Sequence, residues 1–271
     1  MQIVIIGCGR MGTALLKSVK TLSNTNVCVI DPDSFRRETA RELGVEAFSK
    51  FKQAPEADTY IIAVKPSVAP SVFKKLSAIK RDFIAISIAA GINTGYLKKM
   101  MPRAAVMRAM PNVALIRGRG MTALCASPEV SKKDIEKVRP IFSASGFCEV
   151  VEEKLFDAIT AVSGSGPAYF FYLGEIMSEF LVNSGMSEGQ ANKFVSRTVL
   201  GAGALMSELG EEFKNLRYQV TSPGGTTEAA LEHLKKEGFG GIFYQALEKA
   251  DLRSRDISKN ILKTYEKPGK D

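Results

Sequence analysis

The chain has a single histidine, only four cysteines and no long hydrophobic run, and each shortage narrows what it can be. Cys8, Cys28, Cys125 and Cys148 are widely spaced and form no C-x-x-C pair, which argues against a disulfide framework or a zinc site and fits a reducing, cytoplasmic setting. The longest mainly apolar stretch, Phe83 to Ile92, is about half of the ~20 residues a membrane helix needs. Residues 1–6 lack a basic segment ahead of an apolar one, so neither a membrane span nor an export signal is expected. The lone His233 reads as an exposed helix residue. Without a histidine–carboxylate pair, the chain is not equipped to deprotonate an alcohol as a 2-hydroxy-acid dehydrogenase does. From Gly166 to Asn192 there is no lysine, which removes the base that a 3-hydroxy-acid dehydrogenase of similar layout would carry there.

What is present begins with charge. The net charge of +8 is confined to the first half: Lys and Arg number 23 against 13 Asp and Glu in residues 1–152, and 14 against 16 in residues 153–271. That half contains no dense basic run and no nucleic-acid module, so a small polyanionic ligand accounts for the excess and no nucleic-acid partner is expected.

The first half alternates short apolar runs with amphipathic stretches. Gln2–Ile6, Val27–Ile30, Thr59–Val64, Phe83–Ile88 and Val106–Met107 are rich in β-branched residues and apolar on both faces, as buried parallel strands are. Met11, Leu15, Val19 and Leu22 form a helical stripe between the first two, so the pattern predicts a doubly wound parallel sheet over residues 1–152. From Phe156 onward the texture is helical, with patterns over 167–183, 188–208 and 240–263, which predicts an all-α second domain over 153–271. The stretch from Phe170 to Leu181 is apolar around most of its circumference; it is either central to its own bundle or buried against a second subunit. Only the tail KPGKD looks frayed.

Gly7-Cys8-Gly9-Arg10-Met11-Gly12 completes a G-x-G-x-x-G that follows a strand and opens a helix, the context in which this pattern binds a dinucleotide. The helix N-terminus offers free N–H groups and partial positive charge to the phosphates. Asp31, at the end of the second strand, suits a ribose 2′-OH and so favours NAD, whereas Arg36 and Arg37 suit a 2′-phosphate and so favour NADP; both cofactors stay open. Ala63-Val64-Lys65-Pro66 lies at the carboxyl edge of the sheet, where ligands bind in such folds.

Two further clusters lie outside the nucleotide fold: Ser163 to Pro167, and Thr221-Ser222-Pro223-Gly224-Gly225-Thr226-Thr227. Each suits a helix N-cap. The second supplies four hydroxyls and two glycines where one cap residue would suffice, which makes it equally a nest for a carboxylate or phosphate.

GCGRMG, AVKP, SIAAGI, RAMPN, VSGSGPAY and VTSPGGTT, in this order and at these separations, resemble the Δ1-pyrroline-5-carboxylate reductase family over nearly the whole chain. The resemblance implies a Rossmann domain followed by a helical dimerisation domain. It also implies reduction of a cyclic imine bearing a carboxylate by hydride from NADPH or NADH, as the last step of proline biosynthesis. Carried over, Gly7 to Gly12, Asp31, Ala63 to Pro66, and Ile88, Ala89, Ala90 and Gly91 line the dinucleotide. Ser222, Gly225 and Thr226 hold the substrate carboxylate, the Thr227 hydroxyl faces the ring nitrogen, and Glu153 lies near the substrate. The family's dimers often assemble further, with the two domains lining one active site drawn from different subunits. Two segments depart from the usual pattern: Val113-Ala114 after Met110-Pro111-Asn112, and Glu212 to Gln219 ahead of the glycine loop. They leave room for a reductase of another cyclic imino acid, and the non-enzyme alternative is a dinucleotide-binding regulatory protein.

Overall fold

In the first strand, β1 (Gln2–Ile6), Ile3 to Ile6 are all buried, because helices cover both faces of the sheet it belongs to. The same two-sided burial marks β2 (Asn26–Ile30), β4 (Thr59–Ile62) and β5 (Phe83–Ser87). The computed structural model describes residues 1–266; the tail KPGKD lies outside the described residues.

Three strands escape the sequence pattern. β3 (Glu46–Phe48) has only three residues, β7 (Gly120–Ala126) begins at a glycine, and β8 (Gly146–Val150) is a half-exposed edge. β6 runs from Ala104 to Pro111, well beyond the expected Val106–Met107. The sheet order is β3-β2-β1-β4-β5-β6-β7-β8. All neighbours are parallel except β6 and β7, so the expected doubly wound parallel sheet carries one antiparallel pairing. The reason is the connection: only a short 3₁₀ turn, Val113–Arg117, and Gly118 (φ 68°) separate β6 from β7, too little for a parallel crossover.

Helices α1 (Arg10–Val19) and α5 (Lys132–Ser143) cover one face, where Ile3, Ile5 and Ile61 meet Leu15, Leu16, Ile141 and Phe142. Helices α3 (Ala69–Leu76) and α4 (Thr94–Met100) cover the other, where Val4, Ile6 and Ile62 meet Phe73, Leu76 and Leu97. The alternation of Ile3 and Ile5 against Val4 and Ile6 is the period-two signature of a strand dividing two cores. Each such fully buried side chain contributes roughly 1.5–3 kcal/mol. On the β2 side, α2 (Ser34–Glu42) is N-capped by Asp33, whose side chain accepts from Arg36 N.

The remainder is helical: α6 (Phe156–Ile159), a π-type turn (Thr160–Gly164), α7 (Gly166–Asn183), α8 (Glu188–Glu208), α9 (Phe213–Gln219), α10 (Thr226–Lys236) and α11 (Phe239–Glu266). By internal packing, one compact unit comprises Met1–Gly164 together with residues 250–266, and the other comprises Ser165–Lys249. Residues 153–164 join the first unit because Phe156 is buried with Met110, Ala123 and Cys125. In the second unit, α7 leaves Phe170, Phe171, Tyr172 and Phe180 more than half exposed, and of its 18 residues only Gly166 and Ser178 are buried. A helix central to its own bundle would have covered them, so this alternative is overturned for the single chain.

Candidate active site

Three loops meet at the carboxyl edge of β1, β4 and β5, each extending the hydrogen-bond ladder by one rung. Gly7 N donates to Ile30 O at 2.8 Å, Ala63 N to Ile6 O at 2.8 Å, and Ile88 N to Ile62 O at 3.1 Å. The first is the glycine loop. Gly7 has φ 97°, and a Cβ there would lie 2.7 Å from Ala63 O; a Cβ at Gly12 would lie 2.0 Å from Gly7 O. Those two glycines are required by packing of the loop on itself and on the β4 end. At Gly9 the nearest atom to a Cβ among the described residues, chain neighbours aside, would be an Arg36 guanidinium nitrogen, at 3.9 Å. Gly9 therefore faces open space, and no side chain caps α1, so the N–H groups of its first turn are available to an anion. This cradle fits a pyrophosphate. Cys8 is buried within the loop and Met11 is half-buried, whereas Arg10 points to solvent. Burial pushes the Cys8 thiol above its usual range.

Asp31 directly follows the end of β2, the position expected of it. Its side chain is only 2% exposed, Oδ2 accepts Cys8 N at 2.7 Å and Oδ1 accepts Asp33 N at 2.9 Å. Oδ2 thus pins the glycine loop to the end of β2, and Oδ1 closes a local turn onto Asp33. The two arginines also separate. Arg37 is tied to the backbone, donating to Asp31 O at 2.9 Å and Pro32 O at 2.6 Å. Arg36 is half exposed, 3.6 Å from Asp31 Oδ2 and in front of Gly9.

Beside the glycine loop, Ala63, Val64 and Pro66 are half-buried and Lys65 is exposed. Next along the edge, Ile88 and Ala90 are half-buried, Ala89 and Gly91 are buried, and Gly91 has φ 79°. Glu153 is also in this unit. Its Oε1 accepts Thr94 N at 2.8 Å and Arg108 Nη1 at 3.1 Å, and its Oε2 accepts Thr94 Oγ1 at 2.5 Å. Arg108 is buried and its guanidinium stacks on Phe156, 4.2 Å from the ring centroid. Glu153 therefore takes the first N–H of α4, whose N-cap is Asn93, and neutralises a buried cation. Sequence reasoning missed this brace, although an arginine inside the apolar strand β6 is a signal that a carboxylate partner must exist.

In the second unit, the Thr221–Thr227 segment turns through Gly224 (φ 72°) into α10. Gly225 is the N-cap, and no side chain caps the helix, so the first-turn N–H groups of Thr226 and Thr227 have no intrahelical acceptor. The Gly225 N–H, expected to face a substrate, donates instead to Ser222 O at 3.0 Å and closes the turn. A Cβ at Gly225 would lie 2.6 Å from Ser222 Oγ, so the absent side chain leaves room for that hydroxyl. Glu228 Oε2 accepts Gly224 N at 2.7 Å and laces the turn to the helix. Ser222 and Thr226 are exposed and Thr227 is half-buried. His233 lies on the exposed side of α10. The other cluster holds no side-chain cap either: Ser163 Oγ accepts from Asn112 Nδ2 at 3.4 Å, tying the segment to the end of β6.

A groove of about 1050 Å³ opens at the opposite, amino edge of the sheet, among Asn24, Asp58, Lys98, Glu129 and Lys137. Two of its lysines are paired, Lys98 with Glu129 at 3.0 Å and Lys137 with Asp134 at 3.4 Å, and Arg103 donates to the Lys80 carbonyl. Among the described residues there is no metal-ligating cluster and no helix long and apolar enough to cross a membrane.

Known proteins of the same build give these cradles a context. A family profile described as pyrroline-5-carboxylate reductase dimerisation matches residues 153–257, and one described as NADP oxidoreductase, coenzyme F420-dependent, matches residues 2–91. The pyrroline-5-carboxylate reductase of Synechocystis sp. is 36% identical over 264 residues, spanning 96% of this chain and 99% of that protein. That of Escherichia coli is 32% identical over 266 residues, spanning 96% and 99%. Among solved structures, a pyrroline-5-carboxylate reductase from Coxiella burnetii superposes with a TM-score of 0.88 at 31% identity, covering 94% of this chain and 98% of that one. One from Plasmodium falciparum with NADP bound gives 0.82 at 27% identity, covering 95% and 98%.

Proposed function

Because this chain belongs to the pyrroline-5-carboxylate reductase family, we propose that it reduces the C=N bond of 1-pyrroline-5-carboxylate to give L-proline, the last step of proline biosynthesis, with NADPH or NADH as reductant. The observation that carries this reading is the full-length match, in a chain whose two glycine loops both end at helix N-termini left open to an anion.

The nicotinamide cofactor, when bound, supplies the hydride that goes to the imine carbon. The chain's own residues bind and orient. The open first turn of α1 receives the pyrophosphate in front of Gly9, flanked by Ala63 to Pro66 and Ile88 to Gly91. Arg36, free of backbone partners and facing Gly9, is the residue suited to a 2′-phosphate, which favours NADPH. Ser222 Oγ and the N–H groups of Thr226 and Thr227 receive the substrate carboxylate at the start of α10. The Thr227 hydroxyl holds a hydrogen bond at the ring nitrogen, which gains a proton as the carbon gains hydride. A planar imine accepts hydride once its nitrogen is protonated or hydrogen-bonded, so the reaction needs orientation and a donor and no strong base. Glu153 braces the first unit, through Thr94 and Arg108.

The helical part matches a dimerisation domain, and its exposed Phe170, Phe171 and Phe180 are the apolar surface a second copy covers. Assembly of such dimers into a larger homo-oligomer and residence in the cytoplasm complete the proposal. The deciding experiment is direct: purified protein given 1-pyrroline-5-carboxylate oxidises NADPH or NADH, followed by loss of absorbance. Absence of turnover with both reductants would sink the reading.

A further inference from the structure

The last stretch of α11 is packed by sequence pattern as well as by contact. From Asp251 to Ile261, residues 251, 254, 257, 258 and 261 are half-buried while the residues between them are exposed, a stripe at helical spacing. That stripe lies on the loop that follows β5. A Cβ on Gly91 would sit 2.9 Å from Ile261 Cδ1, 3.1 Å from Ile257 Cγ2 and 3.2 Å from Ser258 Cα, so the helix backbone itself comes against the loop. Ile261 also packs into the core cluster that holds Ala89, Ile92, Tyr96 and Leu97. At the other end of the stripe, Ser254 Oγ donates to Asp157 Oδ1 at 2.7 Å, on the short helix whose Phe156 carries the Arg108 guanidinium.

The loop needs such a backing. Its last rung on the β4 ladder is Ile88 N, and Ala89 N then bonds to Ser87 Oγ at 3.3 Å. Gly91 sits at φ 79°, a conformation held by its surroundings and not by side-chain preference. The three nearest atoms that a side chain at Gly91 would meet all belong to α11.

We infer that the C-terminal stretch of α11 is part of the cofactor site: Ile257 and Ile261 are positioning residues that hold Ala89 to Gly91 in the shape that receives the dinucleotide. The inference rests on the proposed reductase reading, which assigns this loop to the cofactor. A binding loop displaced by about an ångström loses affinity on the order of 10-fold or more, so removing the backing weakens the nucleotide without touching it. By reciprocity, bound nucleotide tightens the helix against the loop.

Two measurements on the full chain test this, neither of which reads turnover. Calorimetric titration with NADPH is expected to give a dissociation constant about 10-fold higher for Ile257→Ala/Ile261→Ala than for wild type. The conservative Ile257→Val/Ile261→Val should stay near wild type, and light scattering should show all three with the same oligomeric state. In the wild-type protein, amide exchange over residues 254–261 should slow when NADPH is added, and this arm does not depend on any variant folding. Wild-type affinity in the alanine variant, or unchanged exchange in the wild type despite saturating NADPH, would overturn the inference and leave the reductase reading standing. A wild-type chain that binds neither NADPH nor NADH would overturn both.

Discussion

Asp31 Oδ2 accepts the backbone N–H of Cys8 at 2.7 Å, joining the end of β2 to the glycine loop in a buried contact. With Oδ1 on Asp33 N, the carboxylate serves the shape of the loop more than its ligand. Asp31→Ala is therefore expected to weaken NADH and NADPH by similar factors and to cost about 2 kcal/mol of stability, because two N–H groups lose their acceptor. Titrating both nucleotides decides it: a loss confined to NADH would mean that Asp31 binds the ribose.

Arg36→Ala should raise the dissociation constant for NADPH about 10-fold while changing that for NADH less than about 2-fold, the effect of losing one charge-assisted contact to a 2′-phosphate. Arg37→Ala should leave the ratio of the two unchanged and lower the melting temperature, since Arg37 holds Asp31 O and Pro32 O. Equal losses for both nucleotides in Arg36→Ala would remove it from cofactor selection.

Thr227→Ala is expected to lower kcat at least about 10-fold, and Ser222→Ala mainly to raise KM for the imine, since one removes a hydrogen bond made at the reacting nitrogen and the other a contact to the carboxylate. Gly225→Ala should also raise KM, because its Cβ would fall 2.6 Å from Ser222 Oγ and displace the hydroxyl. Full activity in Thr227→Ala would show that the proton reaches the nitrogen from water.

Glu153→Ala leaves the buried Arg108 without its carboxylate and Thr94 N without an acceptor. The expected cost is about 2–3 kcal/mol, reduced from the loss at a fully buried pair because Glu153 keeps some contact with water. Glu153→Gln, which keeps an acceptor for Thr94 N, should lose less. Chemical denaturation of the two variants beside wild type gives both numbers, and a neutral Glu153→Ala would refute the brace.

Burial pushes the thiols of Cys28, Cys125 and Cys148 up to about 11 from 9.0. The folded chain then holds these protons more tightly than the unfolded chain, so their contribution to stability is intact below pH 9 and is lost as pH rises from 9 through about 11. The urea midpoint should fall across that window. A thiol reagent at pH 8 should label these cysteines slowly until the chain unfolds; prompt labelling of the native protein would contradict their burial.

The strands β1, β2, β4 and β5 were legible because burial on both faces demands continuous apolar runs, and the glycine loop because a strand, three spaced glycines and a helix start must coincide. β3, β7 and β8 were not: a three-residue strand has no period to detect, and a strand beginning at glycine or lying on an edge departs from the apolar run. The VTSPGGTT segment was legible as a helix start with surplus hydroxyls, but which N–H groups stay open depends on the turn, where Ser222 O takes Gly225 N and Glu228 takes Gly224 N.

Sequence alone determined the succession of a strand-and-helix half by a helical half, the position of both glycine loops and the family, because each rests on local spacing that no distant residue can alter. Only the tertiary structure decided that Asp31 is buried, that Arg37 is tied to the backbone while Arg36 stands in front of Gly9, that Glu153 neutralises Arg108, and that Ile257 and Ile261 back Gly91. Those outcomes join residues 5 to 170 positions apart, and a side chain's role there is set by which partner reaches it first in space, a quantity that spacing along the chain does not contain.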